Sequence, residues 1–207
     1  MARVVHDTRP SAESDAPVSM QAYAADHLAF IRKTMERAGA FTAVSGKAQV
    51  AVGVIGLLAA WVTTGEPRPE RWLTVWLVAG AGAVAAAVAG IWWKSKALGT
   101  PLVSGPNRRF VLGFAPPLVA GAVLTVVMYR LGAVQFLPGT WLLLYGAAVM
   151  AGGALSVPPV PFMGGAFMLL GILAFVAPAS WGSLLLGVGF GAVHVGVGVL
   201  IAVKYGG

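Results

Sequence analysis

Six long apolar runs, separated by short polar segments, dominate the pattern of this sequence. They cover residues 48–64, 72–93, 110–129, 140–156, 162–177 and 181–203. A helix needs about 20 residues to cross the hydrocarbon core of a bilayer, and the second, third and sixth runs meet that length. The fourth and fifth runs are shorter, so they start earlier, cross a thinned region or span incompletely. The pattern predicts an all-α, polytopic membrane helix bundle with about six transmembrane helices in residues 41–207.

The chain before the first run has a different pattern. Residues 1–18 mix charged, Ser and Pro residues without periodicity, which is typical of a disordered tail. Over residues 19–40, apolar residues recur at helical spacing, and Arg32 and Lys33 lie on the other faces. This spacing predicts an amphipathic helix that lies on the membrane surface or docks under the bundle.

The distribution of charge adds an orientation to these spans. Charged residues make up only 10% of the 207 residues, the mean hydropathy is +0.82, and no Asp or Glu follows Glu70. Most of the 14 Lys and Arg precede the first run or lie between the second and third. Since Lys and Arg accumulate in cytoplasmic loops, an even number of spans favours both termini in the cytoplasm. The basic excess then reflects orientation and contact with anionic phospholipids at the cytoplasmic face, and we expect no nucleic-acid partner.

Aromatic and small residues predict where the helices meet lipid and where they meet each other. Trp and Tyr near the ends of the runs are typical of an aromatic belt at the head groups. They are Trp61, Trp72, Trp92, Trp93, Tyr129, Trp141, Trp181 and Tyr205. Gly82, Ala86 and Gly90 recur every four residues in the second run, which favours close packing against another helix.

His194 is the only histidine within an apolar run, and an ionisable group in a span is a functional candidate. At 100° per residue, His194 shares one stripe with Gly187, Gly191 and Gly198, so it is expected to face protein rather than lipid. The simplest state is a neutral imidazole hydrogen-bonded to a Ser, a Tyr or a backbone carbonyl. With Tyr145 of the fourth run, His194 belongs to a candidate intramembrane polar site.

Two proline clusters add candidate hinges. Pro116 and Pro117 lie inside the third run, where they produce either a tolerated kink or a broken helix that lines a site. The segment 157–161 contains three prolines and joins the fourth and fifth runs. It is expected to be a stiff, extended connector, with a re-entrant or gate-like element as the alternative.

A second candidate site is basic and lies at the predicted cytoplasmic interface. Asn107 is a plausible N-cap of the third helix, and Arg108 and Arg109 follow it. Together with Arg32 and Lys33 they form a candidate site for anionic lipid, or for docking of the amphipathic helix.

Several familiar chemistries have no sequence support. The chain has no cysteine, Walker-type loop or HExxH pair, and its three histidines are scattered. We therefore expect no metal, haem or other cofactor and no enzymatic activity. The absence of Asp and Glu from every run also weakens a cation-coupled carrier.

Three stretches carry a resemblance to a known group. They are HLAFIRKTME (27–36) continuing to FTAV (41–44), SGPNRRF (104–110), and LPGTWLLLYG (137–146). The chain resembles a group of uncharacterised small bacterial integral membrane proteins, of the kind found in acidobacteria and related phyla, over roughly residues 20–207. The resemblance implies a multi-pass protein of the bacterial inner membrane and implies no catalytic residue.

These observations leave two function classes. The first is a non-enzymatic subunit, scaffold or regulator that acts through helix packing and the amphipathic helix, with a second copy or another membrane subunit as partner. The alternative is a small channel or transporter, whose site lies near a broken third helix and His194.

Overall fold

Six helices follow one another from residue 45 onward in the computed structural model. The structure describes residues 23, 27–31, 45–97, 105–154 and 156–205. The helices are α1 (Gly46–Thr63), α2 (Pro69–Ala97), α3 (Gly105–Arg130), α4 (Leu137–Gly153), α5 (Pro159–Val176) and α6, which comprises Gly182–Leu186, a π-helical segment Gly187–Val193, and His194–Tyr205. Each of these six helices contains or belongs to a segment long and apolar enough to cross a membrane, and the described residues contain no β-strand. The prediction of an all-α fold with six helices long and apolar enough to span a membrane is confirmed.

The two short apolar runs belong to helices that begin about three residues before the runs do. A 3₁₀ turn at Val134–Phe136 leads into α4, which gives a span of 20 residues. Pro159 begins α5, and Pro158 just before it is already in the right-handed helical region. The expectation of an extended proline connector is therefore wrong. Proline is tolerated in the first helical turn, where its missing N–H would have no partner.

The helices form two groups of three. In one group α1 packs against α2 and α6, and in the other α4 packs against α3 and α5. Helix α6 joins the groups through contacts with α4 and α5. Glycines permit close contact between helices: a Cβ on Gly198 would lie 2.8 Å from the carbonyl oxygen of Gly46, and one on Gly164 would lie 2.8 Å from that of Gly146. The predicted packing role of small residues is confirmed at Gly90, which faces Ala48 of α1.

Two layers of core residues define the two ends of the bundle. One layer joins Val149, Val160 and Ile201, with Ile91 and Phe110 packed against it. The end beyond this layer is the basic end, which carries Lys47, Lys94, Lys96, Arg108, Arg109 and Lys204. The larger layer includes buried side chains of α2, α4, α5 and α6 and lies toward the opposite end.

The opposite end carries the carboxylates of the described residues. Glu66 in the α1–α2 loop forms two ion pairs. Its carboxylate oxygens lie 3.0 Å from Nε of Arg68 and 3.2 Å from Nε of Arg71. The hydrogen bond from the Arg68 side chain lowers the pKa of the Glu66 carboxyl, and the same contact raises the pKa of Arg68. Charge is therefore segregated along the bundle, since Glu66 and Glu70 both lie away from the basic end.

The N-terminal segment forms a separate unit, Met1–Ala38. Tyr23 and residues 27–31 are helical and exposed, and the rings of Tyr23 and His27 lie 4.3 Å apart. The remainder of the predicted 19–40 helix lies outside the described residues, as do the tail 1–18, Arg32 and Lys33. The amphipathic helix stays a prediction.

Candidate functional site

His194 and Tyr145 form a buried polar pair between α6 and α4. The Tyr145 hydroxyl oxygen lies 2.8 Å from Nε2 of His194, and Nδ1 of His194 lies 3.3 Å from the carbonyl oxygen of Gly189. His194 has no exposed surface. Because a carbonyl only accepts, one neutral tautomer satisfies both contacts: Nδ1–H donates to Gly189, and Nε2 accepts the Tyr145 proton. The prediction that His194 faces protein is confirmed. Of the predicted alternatives for its partner, a Ser, a Tyr or a backbone carbonyl, the structure shows a Tyr and a carbonyl.

The π-helical segment places His194 on this face. A single stripe at 100° per residue is wrong for this helix, because the π-helical turns between Gly187 and Val193 change the register. Cβ positions built on Gly187 and Gly191 point at Ala60 and Leu57 of α1. His194 and Gly189, five residues apart, face α4 and α5 instead.

Aromatic rings enclose the pair. The Tyr145 ring lies 4.8 Å from Phe167 and 4.9 Å from Phe190, and Phe114 of α3 meets it edge-on at 5.8 Å. Phe167 also meets the His194 imidazole edge-on at 5.3 Å. These rings give the His194–Tyr145 hydrogen bond an apolar environment, in which a hydrogen bond is stronger than it is in water.

A cleft of about 650 Å³ lies beside this cluster, with α2 and α3 as its two walls. Alanine and glycine predominate on the α2 wall, and Pro117 and Gly121 belong to the α3 wall. Tyr145 and Phe190 contribute to the floor, so the cleft reaches the hydroxyl-bearing residue that contacts His194. Among the sequence-based predictions, only the channel or transporter alternative placed a site here, near the third helix and His194. The small-residue face of α2 was a further signal in the sequence.

The double proline does not break α3. The helix is continuous from Gly105 to Arg130 through both prolines, so the broken-helix alternative is wrong. Pro116 is exposed, whereas Pro117 lines the cleft. Of the four predicted intramembrane candidates, the structure therefore brings His194, Tyr145 and Pro117 to one region and leaves Pro116 on the outer face of α3.

A second polar cluster, missed from the sequence, lies near the opposite end. The Ser183 hydroxyl accepts a hydrogen bond from Trp72 Nε1 at 2.8 Å and lies 3.0 Å from the Thr63 hydroxyl. Trp76 Nε1 donates to Thr63 at 3.1 Å. Ser183, Thr63, Trp72 and Trp76 are buried, so this cluster ties α1, α2 and α6 together.

Two residues of the predicted aromatic belt belong to this interior. Trp72 is only 9% exposed and stacks on Trp141 at 5.6 Å, and Trp141 Nε1 donates to Thr125 at 2.8 Å. The belt assignment is wrong for Trp72 and Trp141. Trp61, at 77% exposed, and Trp93, at 69%, have the surface that a belt requires.

The basic candidate site is described only in part. Helix α3 begins at Gly105, so Asn107 lies inside the first turn and the predicted N-cap role is wrong. Arg108 and Arg109 are exposed at the start of α3. Arg32 and Lys33 lie outside the described residues. Within the described residues, no group of three or more His, Asp or Glu could hold a metal ion.

No family model matches the chain, and no curated protein or solved structure shows a significant similarity to it. The cleft and the buried polar side chains are therefore the observations from which a function can be inferred.

Proposed function

We propose that this multi-pass membrane protein is a non-enzymatic subunit, scaffold or regulator that acts by holding an apolar membrane component in the cleft between α2 and α3. The observation that carries the proposal is the cleft itself. Its volume of about 650 Å³ falls within the range of sites that bind small molecules and cofactors. Its lining is almost entirely apolar, which suits a molecule that enters from the bilayer rather than from water.

The small residues of α2 support this proposal. Transmembrane helices with such residues commonly pack closely against a neighbour. Here, a Cβ on Gly80 would have no neighbouring atom within 4 Å, although Gly80 lines the cleft. Trp76 and Trp141 provide a broad apolar floor at the opposite end. The space therefore results from small side chains on the wall, and a molecule from the membrane interior can fill it.

Site-directed spin labelling tests the proposal, and the absence of native cysteine gives a clean background. Ala122→Cys places a label in the cleft, and Ala120→Cys places one on the other side of the same helix. In bilayers we expect the label at 122 to be less mobile than the label at 120 and to be shielded from a water-soluble nickel chelate. Equal mobility at the two positions, or ready access of the chelate to 122, would contradict an occupied apolar cleft.

We propose the bacterial inner membrane as the location, with both termini in the cytoplasm. The charge distribution supports this orientation. Among the described residues, the basic end carries six Lys and Arg and no carboxylate, as is typical of a cytoplasmic side. Single cysteines at Lys204 of the basic end and at Gln135 of the opposite end provide the test in oriented inner-membrane vesicles. A membrane-impermeant thiol reagent should label Gln135→Cys in right-side-out vesicles and Lys204→Cys in inverted ones. The reverse pattern would overturn the orientation.

We propose further that residues 19–40 contact a protein partner at the membrane surface, either a second copy or another membrane subunit. The predicted amphipathic character of this segment supports the contact. Cross-linking in native membranes, followed by purification, should yield a defined higher-mass species that is lost when residues 1–40 are deleted. A full-length protein that stays monomeric at native expression would contradict this part of the proposal.

A small channel or transporter is the second candidate, and one observation favours it. The cleft reaches Tyr145, whose hydroxyl contacts His194, so an apolar opening and a buried polar pair adjoin each other. This function requires a hydrated path, which the nickel chelate would detect at position 122. It also predicts that the protein increases solute flux over that of protein-free liposomes, and that His194→Ala lowers this flux.

A further inference from the structure

The cleft extends toward the basic end of the bundle. Its lining on α3 runs from Thr125 to Phe110, which corresponds to about 22 Å at 1.5 Å per residue. One leaflet of a typical hydrocarbon core is about 15 Å thick. The cleft is therefore long enough to contact an extended acyl chain along its length, from the head-group region past the bilayer midplane.

Lys94 continues the cleft-lining face of α2. Ala87 and Ile91 line the cleft, and Lys94 follows Ile91 by three residues on the same side of the helix. Lys94 is half-buried, so its aliphatic stem can lie against apolar surface while its ammonium reaches the interface. Ser45 and Gln49, two polar residues at the start of α1, line the cleft at this same end.

Among the described residues, the charged side chains around this end of the cleft are all basic. Lys47 lies on α1 and Lys96 on α2, and both helices line the cleft at this end. Arg108 and Arg109 come directly before Phe110, the first cleft-lining residue of α3. Both carboxylates of the bundle's described residues, Glu66 and Glu70, belong to the other end. An apolar cleft with a basic end is complementary to an amphiphile that has an apolar chain and an anionic head group.

We propose that an anionic phospholipid occupies the cleft, with an acyl chain between α2 and α3 and its phosphate beside Lys94. The inference rests on the proposed function, because it names the apolar component that the cleft holds. The basic end of the cleft favours a lipid with an anionic head group over an apolar partner helix.

Spin-labelled lipids test this assignment in vesicles of phosphatidylcholine that contain the full-length protein. Phosphatidylglycerol and phosphatidylcholine, each with a label on the acyl chain, are the two probes. We expect the motionally restricted fraction to be larger for phosphatidylglycerol. Lys94→Gln should lower the relative association of phosphatidylglycerol about fivefold and leave that of phosphatidylcholine unchanged, whereas Lys94→Arg should retain the preference.

A matched variant separates the cleft from general attraction to a basic surface. Lys204→Gln removes the same charge at the same end, from an exposed residue that does not line the cleft. We expect it to change the preference for phosphatidylglycerol by much less than Lys94→Gln does. Equal effects of the two variants would overturn the assignment, because attraction would then depend on total charge alone.

Filling the cleft tests the acyl chain independently of the head group. Ala122→Trp fills the cleft, and Ala120→Trp adds the same side chain on another face of α3. The first should reduce restriction of both probes, and the second should not. Ala87→Trp and Ala85→Trp form an equivalent pair on α2 if either α3 variant fails to fold.

The outcomes distinguish failure of this inference from failure of the proposed function. Equal restriction of the two lipids, abolished by Ala122→Trp, would overturn the anionic ligand and leave an apolar occupant in the cleft. Restriction that is the same in Ala122→Trp and Ala120→Trp would overturn both, because the cleft would then hold neither lipid.

Discussion

The hydroxyl of Tyr145 lies 2.8 Å from Nε2 of His194, so residues 49 positions apart satisfy each other inside the bundle. Burial without this contact would leave an imidazole nitrogen without a partner in an apolar environment, which is costly. The pair also links α6 to α4, because His194 directly follows the π-helical segment and contacts Tyr145 of α4. It is therefore a packing element, and its Tyr145 also contributes to the cleft floor.

Tyr145→Phe should destabilise the folded protein by about 1 kcal/mol, and at most by about 2, because hydrogen bonds between membrane helices are worth that much. The measurement is reversible unfolding in mixed detergent micelles. Tyr129→Phe is the matched control, since Tyr129 lies at the exposed end of α3, and it should change stability by less than about 0.5 kcal/mol. Equal stability of wild type and Tyr145→Phe would show that the contact contributes nothing.

Ser183→Ala should destabilise the opposite end by a similar amount, about 1 kcal/mol. The substitution removes the acceptor of Trp72 Nε1 and a neighbour of the Thr63 hydroxyl. Ser180→Ala, three residues earlier and exposed, is the control. Thermal unfolding followed by tryptophan fluorescence measures both variants. A Ser183→Ala protein as stable as Ser180→Ala would argue against an energetic role for this cluster.

Gly198→Ala should destabilise the α1–α6 interface by about 1–3 kcal/mol through overpacking. A Cβ at this position would lie 2.8 Å from both the Gly46 carbonyl oxygen and the Val50 nitrogen, which are backbone atoms with little freedom to move. At Gly196, two residues earlier, a Cβ would meet nothing within 4 Å. Gly196→Ala should therefore be neutral or stabilising, by up to about 1 kcal/mol from helix propensity. The same unfolding assay compares them, and a ranking in the other direction would refute the close approach of α1 and α6.

The Glu66 ion pairs predict a pH dependence. Because the pKa of Glu66 is lowered in the folded state, its contribution is fully present above the ordinary carboxyl pKa. It is lost as the pH falls through the lowered folded-state pKa. The difference in melting temperature between wild type and Glu66→Gln should therefore be small and constant near neutral pH and vanish in acid. Glu70→Gln, an exposed neighbour, controls for loss of one charge, and a Glu66→Gln difference that grows in acid would contradict the sign.

His194 shows how much of the candidate site could be predicted from the sequence. Its position among small residues of an apolar run indicated burial against protein and a Ser, Tyr or carbonyl partner. His194 is buried, and its partners are a Tyr and a carbonyl. The stripe argument failed in detail because π-helical turns in α6 rotate His194 away from the face of Gly187 and Gly191. Local spacing does not reveal such turns.

Trp72 and Trp141 show a second limit. Trp near the end of an apolar run indicates a lipid interface, yet these two stack on each other inside the bundle. In a membrane, lipid-facing and protein-facing surfaces of a helix are equally apolar, so residue type alone does not distinguish them.

The sequence by itself determined the six spans, the segregation of charge and the burial of His194. Spans depend on local hydropathy and length, and charge segregation depends on position along the chain, so neither requires knowledge of contacts. Only the tertiary structure decided that α3 stays continuous, that Tyr145 is the partner of His194, and that α2 and α3 enclose a cleft. Those features arise from contacts between residues far apart in the chain, and helices that are apolar on every face do not specify which faces meet.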